Sequence, residues 1–428
     1  MKRLYELFKK SAGVTTDSRA ITPGVIFFAL KGDRFNGNEF AAQALNEGAA
    51  YSIIDEEQYA VDDRCIFVEN VLQTLSELAA MHRKELNCPV FAITGTNGKT
   101  TTKELIVQVL STKIKLAYTK GNLNNHIGLP LTILSADQDT ELMILEMGAN
   151  HLGEIDHLCK IAQPDYGLIT NTGKAHLEGF GSPDAIFQAK TELYQHIQKF
   201  GKGLIVNADD QKLMNAANPN ILLTYGTENA DVRGSIMSQI PCVSLQWKWR
   251  NASENQPTHL FGSYNVYNVL AAVACGIFFH LEPKIISKAI AEYIPKNNRS
   301  QFMETPAGNK VVLDAYNANP TSMNMVLDEF LAMPGTPKYV FLGSMLELGK
   351  YSDDEHIAIL KKLSENHVEY VALVGNEFLK FQTLFPDFNY YANSEILNSF
   401  LIPKRITGAH IIIKGSRANA LEKIIDSL

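Results

Sequence analysis

The chain has 428 residues, 46% of them hydrophobic and 20% charged, and a formal net charge of −7. This length predicts two or three domains, and the composition is that of a soluble globular protein. The negative charge argues against a nucleic-acid coat, and no apolar run is long enough to span a bilayer. The five cysteines are scattered with no CxxC pair, which argues against a disulfide framework or a zinc site. We therefore expect a cytoplasmic protein with no nucleic-acid partner and no membrane insertion. We also expect a monomer, although none of these features determines the oligomeric state.

The first part of the chain is a short mixture of strand and helix patterns that ends in a helical pattern over Val71–Glu85. A boundary is expected just before the sequence Asn87-Cys88-Pro89, because proline and polar residues follow the helix there. Residues 1–86 are thus predicted to form a small mixed α/β domain.

A glycine-rich turn follows the apolar run at residues 89–94 and precedes a helical pattern over residues 101–110. Residues 93–102 read Ile-Thr-Gly-Thr-Asn-Gly-Lys-Thr-Thr-Thr. Backbone N–H groups of such a turn can surround phosphate oxygens, while Lys99 reaches the β- and γ-phosphates and Thr100 ligates Mg²⁺. The usual first glycine of this motif is replaced by Ile93, and the alternative is a turn that only caps a helix. The order of strand, glycines, lysine and helix favours ATP binding.

From residue 89 onward, apolar strand patterns alternate with helical patterns, which predicts βαβ units, parallel sheets and ligands at the carboxyl ends of the strands. A helix is predicted over residues 271–293, strands near residues 242–249, and a second boundary near residues 295–298. The fold class is therefore α/β, with a central P-loop, ATPase-like domain at residues 87–295 and a C-terminal Rossmann-like domain at residues 296–428. The predicted strands are residues 89–94, 141–148, 166–171, 203–207, 310–316, 338–343, 370–375 and 410–414.

Two further side chains follow predicted strands near this turn. Glu146 ends an apolar strand, where a nucleotide-bound Mg²⁺ needs an oxygen ligand; the alternative is a helix N-cap or a surface charge. His176 follows the strand at residues 166–171, and a lone loop histidine is more often structural than a ligand. Lys190 lies in a helical pattern and by itself predicts only a solvated or snorkelling side chain.

Longer motifs carry a resemblance to a known family. These strings resemble the Mur ligases of peptidoglycan synthesis over nearly the whole chain: TGTNGKTT (94–101), GNLNNHIGLP (121–130), EMGANHLGEI (146–155), HLEGFGS (176–182), AKTEL (189–193), DAYNANPTSM (314–323) and MLELG (345–349). The chain departs from the family pattern at residues 35–40, at Tyr264, where His is common, and at Ser344, which replaces an aspartate.

The resemblance implies roles for individual residues. Thr100 and Glu146 would ligate one Mg²⁺, and His176 with a carbamylated Lys190 would hold a second. The implied ATP contacts are Gly95, Thr96, Asn97, Gly98, Lys99, Thr100, Thr101, Asn268, Arg299 and Asp314. The implied substrate contacts are Ser18, Arg19 and Lys31 for the uridine diphosphate end, Asn122, Asn125 and His126 along the cleft, and Tyr316, Asn317 and Asn319 for an incoming dipeptide.

The resemblance also implies a reaction: ATP activates the carboxylate of a UDP-N-acetylmuramoyl-tripeptide as an acyl phosphate, which the amine of D-alanyl-D-alanine then attacks. Lys99, His176 and Lys190 would be catalytic, and the last domain would close on the nucleotide. Three alternatives remain open: a Mur ligase that adds the third amino acid, folylpolyglutamate synthase, and a P-loop switch or motor module. The absence of an Asp-Asn-Pro-Arg motif argues against the first, and the uridine-type first domain against the second.

Overall fold

Short parallel strands form the first sheet of the computed structural model, which describes residues 1–428. The sheet order is β1-β2-β5-β6, all parallel, and β3 pairs with β4 in a separate hairpin. The elements are α1 (Lys2–Phe8), β1 (Val14–Thr15), β2 (Ile26–Phe28), β3 (Lys31–Gly32), β4 (Phe35–Asn36), α2 (Ala41–Asn46), β5 (Tyr51–Ile54), β6 (Cys65–Phe67) and α3 (Val71–Glu85).

The central sheet has nine strands in the order β15-β14-β13-β12-β11-β10-β7-β9-β8, and only β13-β14-β15 pair antiparallel. Its elements are β7 (Val90–Thr94), α4 (Lys99–Leu110), β8 (Leu116–Tyr118), α5 (Gly128–Leu134), β9 (Leu142–Glu146), α6 (Glu154–Ala162), β10 (Tyr166–Ile169), α7 (Leu177–Phe180), α8 (Pro183–Phe200), β11 (Gly203–Asn207), α9 (Gln211–Ala217), β12 (Ile221–Gly226), β13 (Val232–Ser238), β14 (Ser244–Trp249), β15 (Ala252–Pro257), α10 (Asn265–Phe278) and α11 (Pro283–Ala291). Every residue of β7, β9 and β11 is buried, as expected for strands covered by helices on both faces.

The C-terminal sheet has six strands in the order β16-β17-β21-β18-β19-β20, and only the edge strand β16 is antiparallel to its neighbour. Its elements are β16 (Gln301–Glu304), β17 (Lys310–Asp314), α12 (Pro320–Ala332), β18 (Lys338–Gly343), α13 (Ser352–Ser364), β19 (Tyr370–Val374), α14 (Asn376–Leu379), β20 (Asn389–Tyr391), α15 (Ser394–Leu401) and β21 (His410–Lys414). The predicted α/β class is confirmed. The domain boundaries after residues 86 and 295 stay predictions and fall between consecutive sheets.

The single helix predicted over residues 271–293 is wrong. The structure has two helices there, α10 and α11, separated by the turn at residues 279–282. Pro283 occupies the first turn of α11, where its missing N–H costs nothing, whereas inside one continuous helix it would remove a hydrogen bond and clash with the preceding turn. The strands expected near residues 242–249 are present as β14, and its neighbours β13 and β15 had no clear pattern in the sequence.

Helix α3 joins the first sheet to the central one. It packs against α5 and α6, and the Arg83 side chain donates hydrogen bonds to the Ala162 carbonyl over 2.8 Å and to the Asp165 carboxylate over 3.0 Å. One apolar cluster contains Leu75 of α3, Ile155 of α6 and Val326 of α12. Buried side chains are thus continuous from the first sheet to the third. No helix combines the length and apolarity that crossing a membrane requires.

Candidate functional site

The glycine turn between β7 and α4 has the backbone of a phosphate-binding loop. Gly95 and Gly98 have φ angles of 143° and 77°, which favour glycine. A Cβ atom on Gly98 would lie 2.5 Å from Oδ1 of Asn268, so any side chain there would displace the Asn268 amide on α10. The Asn171 carbonyl accepts the Thr96 N–H over 2.9 Å, and the Asn171 Oδ1 accepts the Asn97 N–H over 3.0 Å. The end of β10 therefore fixes the loop.

Lys99 folds back over this loop. Its Nζ donates to the carbonyls of Gly95 over 2.7 Å and Thr96 over 3.0 Å. Burial lowers the pKa of Lys99 to about 8, with Arg299 acting in the same direction and Glu146 opposing it. The ammonium is thus hydrogen-bonded to two carbonyl groups of the loop. It would break these hydrogen bonds to contact a bound anion.

Glu146 ends β9 beside the loop and is 1% exposed. Its Oε1 accepts hydrogen bonds from the Thr100 hydroxyl over 3.2 Å and from Asn124 Nδ2 over 2.7 Å. Its Oε2 is buried and has no hydrogen-bond partner. A buried carboxylate oxygen without a partner is costly, and a hard cation next to a threonine hydroxyl would satisfy it. Thr100 and Glu146 therefore fit a Mg²⁺ ion.

Lys190 is buried behind the cleft wall, whereas His176 is part of the lining. Lys190 is 2% exposed, its Nζ donates to the Ala149 carbonyl over 3.2 Å, and it lies 5.1 Å from the centre of the Phe180 ring. Burial lowers the pKa of Lys190 to about 7; the charge of Lys99 adds to this effect. His176 lines the cleft, and its Nδ1 contacts the Glu347 carboxylate of the C-terminal domain. No hydrogen bond joins His176 to Lys190.

The C-terminal domain supplies the opposite wall. The Arg299 guanidinium lies 3.8 Å from the centre of the Tyr316 ring, and its Nε is buried without a partner. The Asp314 carboxylate accepts the Ser300 N–H over 3.2 Å and the Lys414 Nζ over 2.5 Å. An arginine with an unused donor and a carboxylate at the end of β17 thus face the phosphate loop.

These walls enclose a cleft of about 450 Å³. The predicted residues that line it are Thr96, Asn97, Gly98, Lys99, Thr100, Thr101, Asn122, Asn125, His126, Glu146, His176, Asn268, Arg299, Asp314, Tyr316, Asn317 and Asn319. Five predicted residues do not line it: Gly95, Lys190, Ser18, Arg19 and Lys31. Gly95 and Lys190 lie directly behind its wall, because each makes a hydrogen bond to a lining residue.

The three N-terminal candidates lie outside the cleft. Arg19 pairs with Asp17 over 2.8 Å and is largely exposed. Lys31 pairs with Asp55 over 3.1 Å and with Glu56 over 2.7 Å. A second groove of about 810 Å³ runs between α3 and α6 and continues the cleft toward the N-terminal domain. It shares four lining residues with the cleft: Asn125, His126, Gly148 and Glu154.

Several residues at or beside the cleft were not among the predicted catalytic, ATP, metal or substrate residues. Asn124, Asn171 and Glu347 contact predicted site residues directly. Asn124 and Glu347 lie inside motifs that carry the family resemblance, so the signal was present, and Asn171 is the last residue of a predicted strand. Lys414, at the end of β21, also lines the cleft. No group of three or more His, Cys, Asp or Glu side chains could hold a metal ion alone.

The C-terminal domain is docked against the phosphate loop. Lys174 donates its backbone N–H to the Thr321 hydroxyl over 3.0 Å, and its Nζ pairs with Glu355 over 2.9 Å. Asn319 Nδ2 donates to Asn97 Oδ1 over 2.7 Å. The structure is therefore a closed arrangement in which residues of two domains share one cleft.

Curated relatives match almost the full chain. A UDP-N-acetylmuramoyl-tripeptide--D-alanyl-D-alanine ligase of Bacillus subtilis is 33% identical over 97% of this chain and 93% of its own length. The protein of the same name from Escherichia coli is 31% identical over 97% of this chain and 93% of its own length.

Solved structures give the same result. MurF from Acinetobacter baumannii superposes with a TM-score of 0.87 at 29% identity, covering 99% of this chain and 97% of that one. MurF ligase from Thermotoga maritima in complex with ADP superposes with a TM-score of 0.85 at 27% identity and the same coverage of both chains.

Three family models match consecutive parts of the sequence. They are the Mur ligase family catalytic domain at residues 10–83, the Mur ligase middle domain at residues 93–276 and the Mur ligase glutamate ligase domain at residues 298–424. The chain belongs to the Mur ligase family.

Proposed function

We propose that this protein joins D-alanyl-D-alanine to a UDP-N-acetylmuramoyl-tripeptide at the expense of ATP, releasing ADP and phosphate. One observation carries the proposal: Lys99 and the unpartnered carboxylate oxygen of Glu146 share a closed cleft with Arg299 and Asp314 of the C-terminal domain. Relatives named for this activity match nearly the whole chain. The reaction belongs to peptidoglycan precursor synthesis, and we place it in the cytoplasm, with the protein acting as a monomer.

The nucleotide would occupy the turn at residues 95–101. Backbone N–H groups at the positive end of α4 bind its phosphates, and Lys99 exchanges the carbonyls of Gly95 and Thr96 for phosphate oxygens. Asn268, Arg299 and Asp314 contact the nucleotide from α10 and from the C-terminal domain. Because these contacts come from two domains, the bound nucleotide favours the closed arrangement.

Two Mg²⁺ ions are part of the proposal. Thr100 and Glu146 would hold one, and His176 with a carbamylated Lys190 would hold the other. Burial lowers the pKa of the Lys190 amine to about 7, so a large fraction of this amine is neutral near neutral pH. The neutral amine attacks CO₂ and loses a proton to give the carbamate. When bound, the ions neutralise the charge that would otherwise keep two anions apart.

The chemistry then has two steps. A terminal carboxylate oxygen of the tripeptide attacks the γ-phosphorus, the bond to the bridging oxygen breaks, and ADP leaves. The neutral amine of the dipeptide attacks the acyl carbon, the acyl–oxygen bond breaks, phosphate leaves, and the nitrogen gives up one proton to solvent as the amide forms. Lys99 stabilises the transferring phosphoryl group, and closure of the C-terminal domain excludes water from the acyl phosphate.

The two peptide substrates approach from opposite sides. Ser18, Arg19 and Lys31 bind the uridine diphosphate end, and the groove between α3 and α6 leads from that side to the cleft. The tripeptide then passes Asn122, Asn125 and His126, while Tyr316 and Asn317 receive the dipeptide on the C-terminal side. This assignment divides the molecule into three domains, residues 1–86, 87–295 and 296–428.

Phosphate release by the purified protein tests the proposal. UDP-tripeptides containing lysine or diaminopimelate are each offered with D-alanyl-D-alanine and with single amino acids, and UDP-dipeptide is offered in parallel. We expect release only when a UDP-tripeptide and the dipeptide are both present. Release with UDP-dipeptide plus one amino acid would identify the ligase that adds the third residue. Release from ATP alone at the same rate would indicate a P-loop switch and refute the proposal.

A further inference from the structure

Asn319 uses both ends of its side-chain amide. It is the N-cap of α12, and its Oδ1 accepts the Ser322 N–H over 2.9 Å. Its Nδ2 donates to Asn97 Oδ1 over 2.7 Å, across the boundary between the domains. The residue is 6% exposed. An N-cap needs only an oxygen acceptor, so the contact with Asn97 is an additional function of this side chain.

Asn97 is held differently at its backbone and at its side chain. Its carbonyl accepts hydrogen bonds from the Thr170 hydroxyl over 2.7 Å and from Asn171 Nδ2 over 3.0 Å, both within the central domain. Its side-chain Oδ1 is held by Asn319, while its Nδ2 is buried without any protein partner. Asn97 lines the cleft. Asn319 therefore fixes the direction of an unused donor in the phosphate loop.

A second contact from the same helix end acts on the loop. Thr321 accepts the Lys174 N–H over 3.0 Å, and the preceding Gly173 carbonyl accepts the Thr96 hydroxyl over 3.0 Å. A Cβ atom on Gly173 would lie 3.0 Å from Oγ1 of Thr321, so this approach is close. The first turn of α12 thus reaches two consecutive phosphate-loop residues, Asn97 directly and Thr96 through one short segment.

We propose that the amino end of α12 braces the phosphate loop, and that Asn319 is a positioning residue for the nucleotide, acting through Asn97. This inference rests on the proposed ATP-dependent function and replaces the dipeptide contact that the sequence predicts for Asn319. The brace makes the conformational ordering of the phosphate loop depend on closure of the C-terminal domain. The loop binds nucleotide tightly only when the domain that receives the second substrate is docked.

The variant Asn319→Ser tests the brace without removing the N-cap. Serine caps helices as well as asparagine does, but its hydroxyl is too short to reach Asn97. Calorimetry on the full chain with Mg²⁺ and a non-hydrolysable ATP analogue gives the nucleotide Kd. We expect the Kd to rise about five- to tenfold, the effect of losing one ordinary hydrogen bond. We expect the KM for D-alanyl-D-alanine to stay within about twofold of wild type.

A double-mutant cycle and a matched control complete the experiment. Asn97→Ala should weaken nucleotide binding, and adding Asn319→Ser to it should cause little further loss. Asn393 is also an N-cap of the C-terminal domain, with its Oδ1 accepting the Ile396 N–H over 2.9 Å, so Asn393→Ser should change neither constant. An unchanged nucleotide Kd with a raised dipeptide KM would overturn the brace. Nucleotide binding needs no peptide substrate, so failure of the proposed reaction would appear separately, as no phosphate release by wild type.

Discussion

The Tyr293 hydroxyl donates a hydrogen bond to the Glu104 Oε2 over 2.6 Å, which joins the chain segment entering the C-terminal domain to the helix that follows the phosphate loop. Asn297 Nδ2 donates to the other oxygen of Glu104 over 3.4 Å. In the same segment Asn297, Asn298 and Ser300 have φ angles of 63°, 56° and 47°. Three of the four residues 297–300 thus have left-handed backbone, which is strained and has to be held by contacts with other parts of the chain. Glu104 therefore positions the segment that carries Arg299.

Replacing Tyr293 with phenylalanine removes one hydrogen bond from this support and leaves the ring in place. We expect kcat/KM for ATP to fall about three- to tenfold, because a hydrogen bond to a carboxylate is lost and Arg299 is held less firmly. Steady-state phosphate release at varied ATP measures it. Tyr391→Phe is the control, since its hydroxyl bonds Tyr370 within the C-terminal sheet over 2.6 Å. Equal effects of the two variants would argue against a specific role for Glu104.

Glu146→Gln tests the proposed cation site. The amide oxygen of glutamine can still accept from Thr100 and Asn124, but the negative charge is lost. We expect kcat to fall about 10²–10³-fold, and the Mg²⁺ concentration for half-maximal rate to rise. Phosphate release across a Mg²⁺ titration measures both. Glu141→Gln, just before the first residue of the same strand, should leave the titration unchanged. An unaltered Mg²⁺ dependence of Glu146→Gln would remove this residue from the proposed metal site.

The central site was predictable because its signals are local. The phosphate loop and Glu146 each lie where a buried strand ends, and parallel strands bring such ends together at one edge of a sheet. Contacts between domains were not predictable in this way. His176 meets Glu347 from 171 residues away, and Asn97 meets Asn319 from 222 residues away. Such pairs form when two folded domains dock against each other, and the periodicity and motif spacing of a sequence carry no information about that docking.

The same limit applies to Asn319. Its motif predicted a dipeptide contact, and the positioning role proposed above comes from contacts that the motif does not encode: its Nδ2 donates to Asn97 and its Oδ1 accepts the Ser322 N–H at the end of α12. The break between α10 and α11 is different, because Pro283 was visible in the sequence and should have divided the predicted helix.

Lys190→Ala tests the proposed carbamylated lysine. Alanine leaves a buried space where the carbamate would be, so we expect the rate to fall about a hundredfold or more. Acetate or propionate should restore part of the activity by placing a carboxylate in that space. Wild-type protein freed of CO₂ should lose activity and regain it with bicarbonate, whereas the alanine variant should not respond to bicarbonate. Lys160→Ala, an exposed lysine paired with Asp156, is the control. Full activity of Lys190→Ala would refute the metal-bridging role.

His82 is buried at the junction between α3 and the central domain. Its Nδ1 accepts from the Tyr5 hydroxyl over 3.1 Å, and its Nε2 donates to the Ala136 carbonyl over 3.0 Å. Burial lowers the pKa of His82 below 6.5. Unfolding therefore takes up a proton between the lowered pKa and about 6.5, so the free energy of unfolding falls as the pH drops through that window. Between pH 7.5 and 5.5, we expect the Tm of His82→Gln to fall by less than the Tm of wild type. The control is His157→Gln, at an exposed histidine, whose Tm should fall as much as that of wild type. Equal falls in Tm for all three proteins would assign the acid sensitivity to other groups.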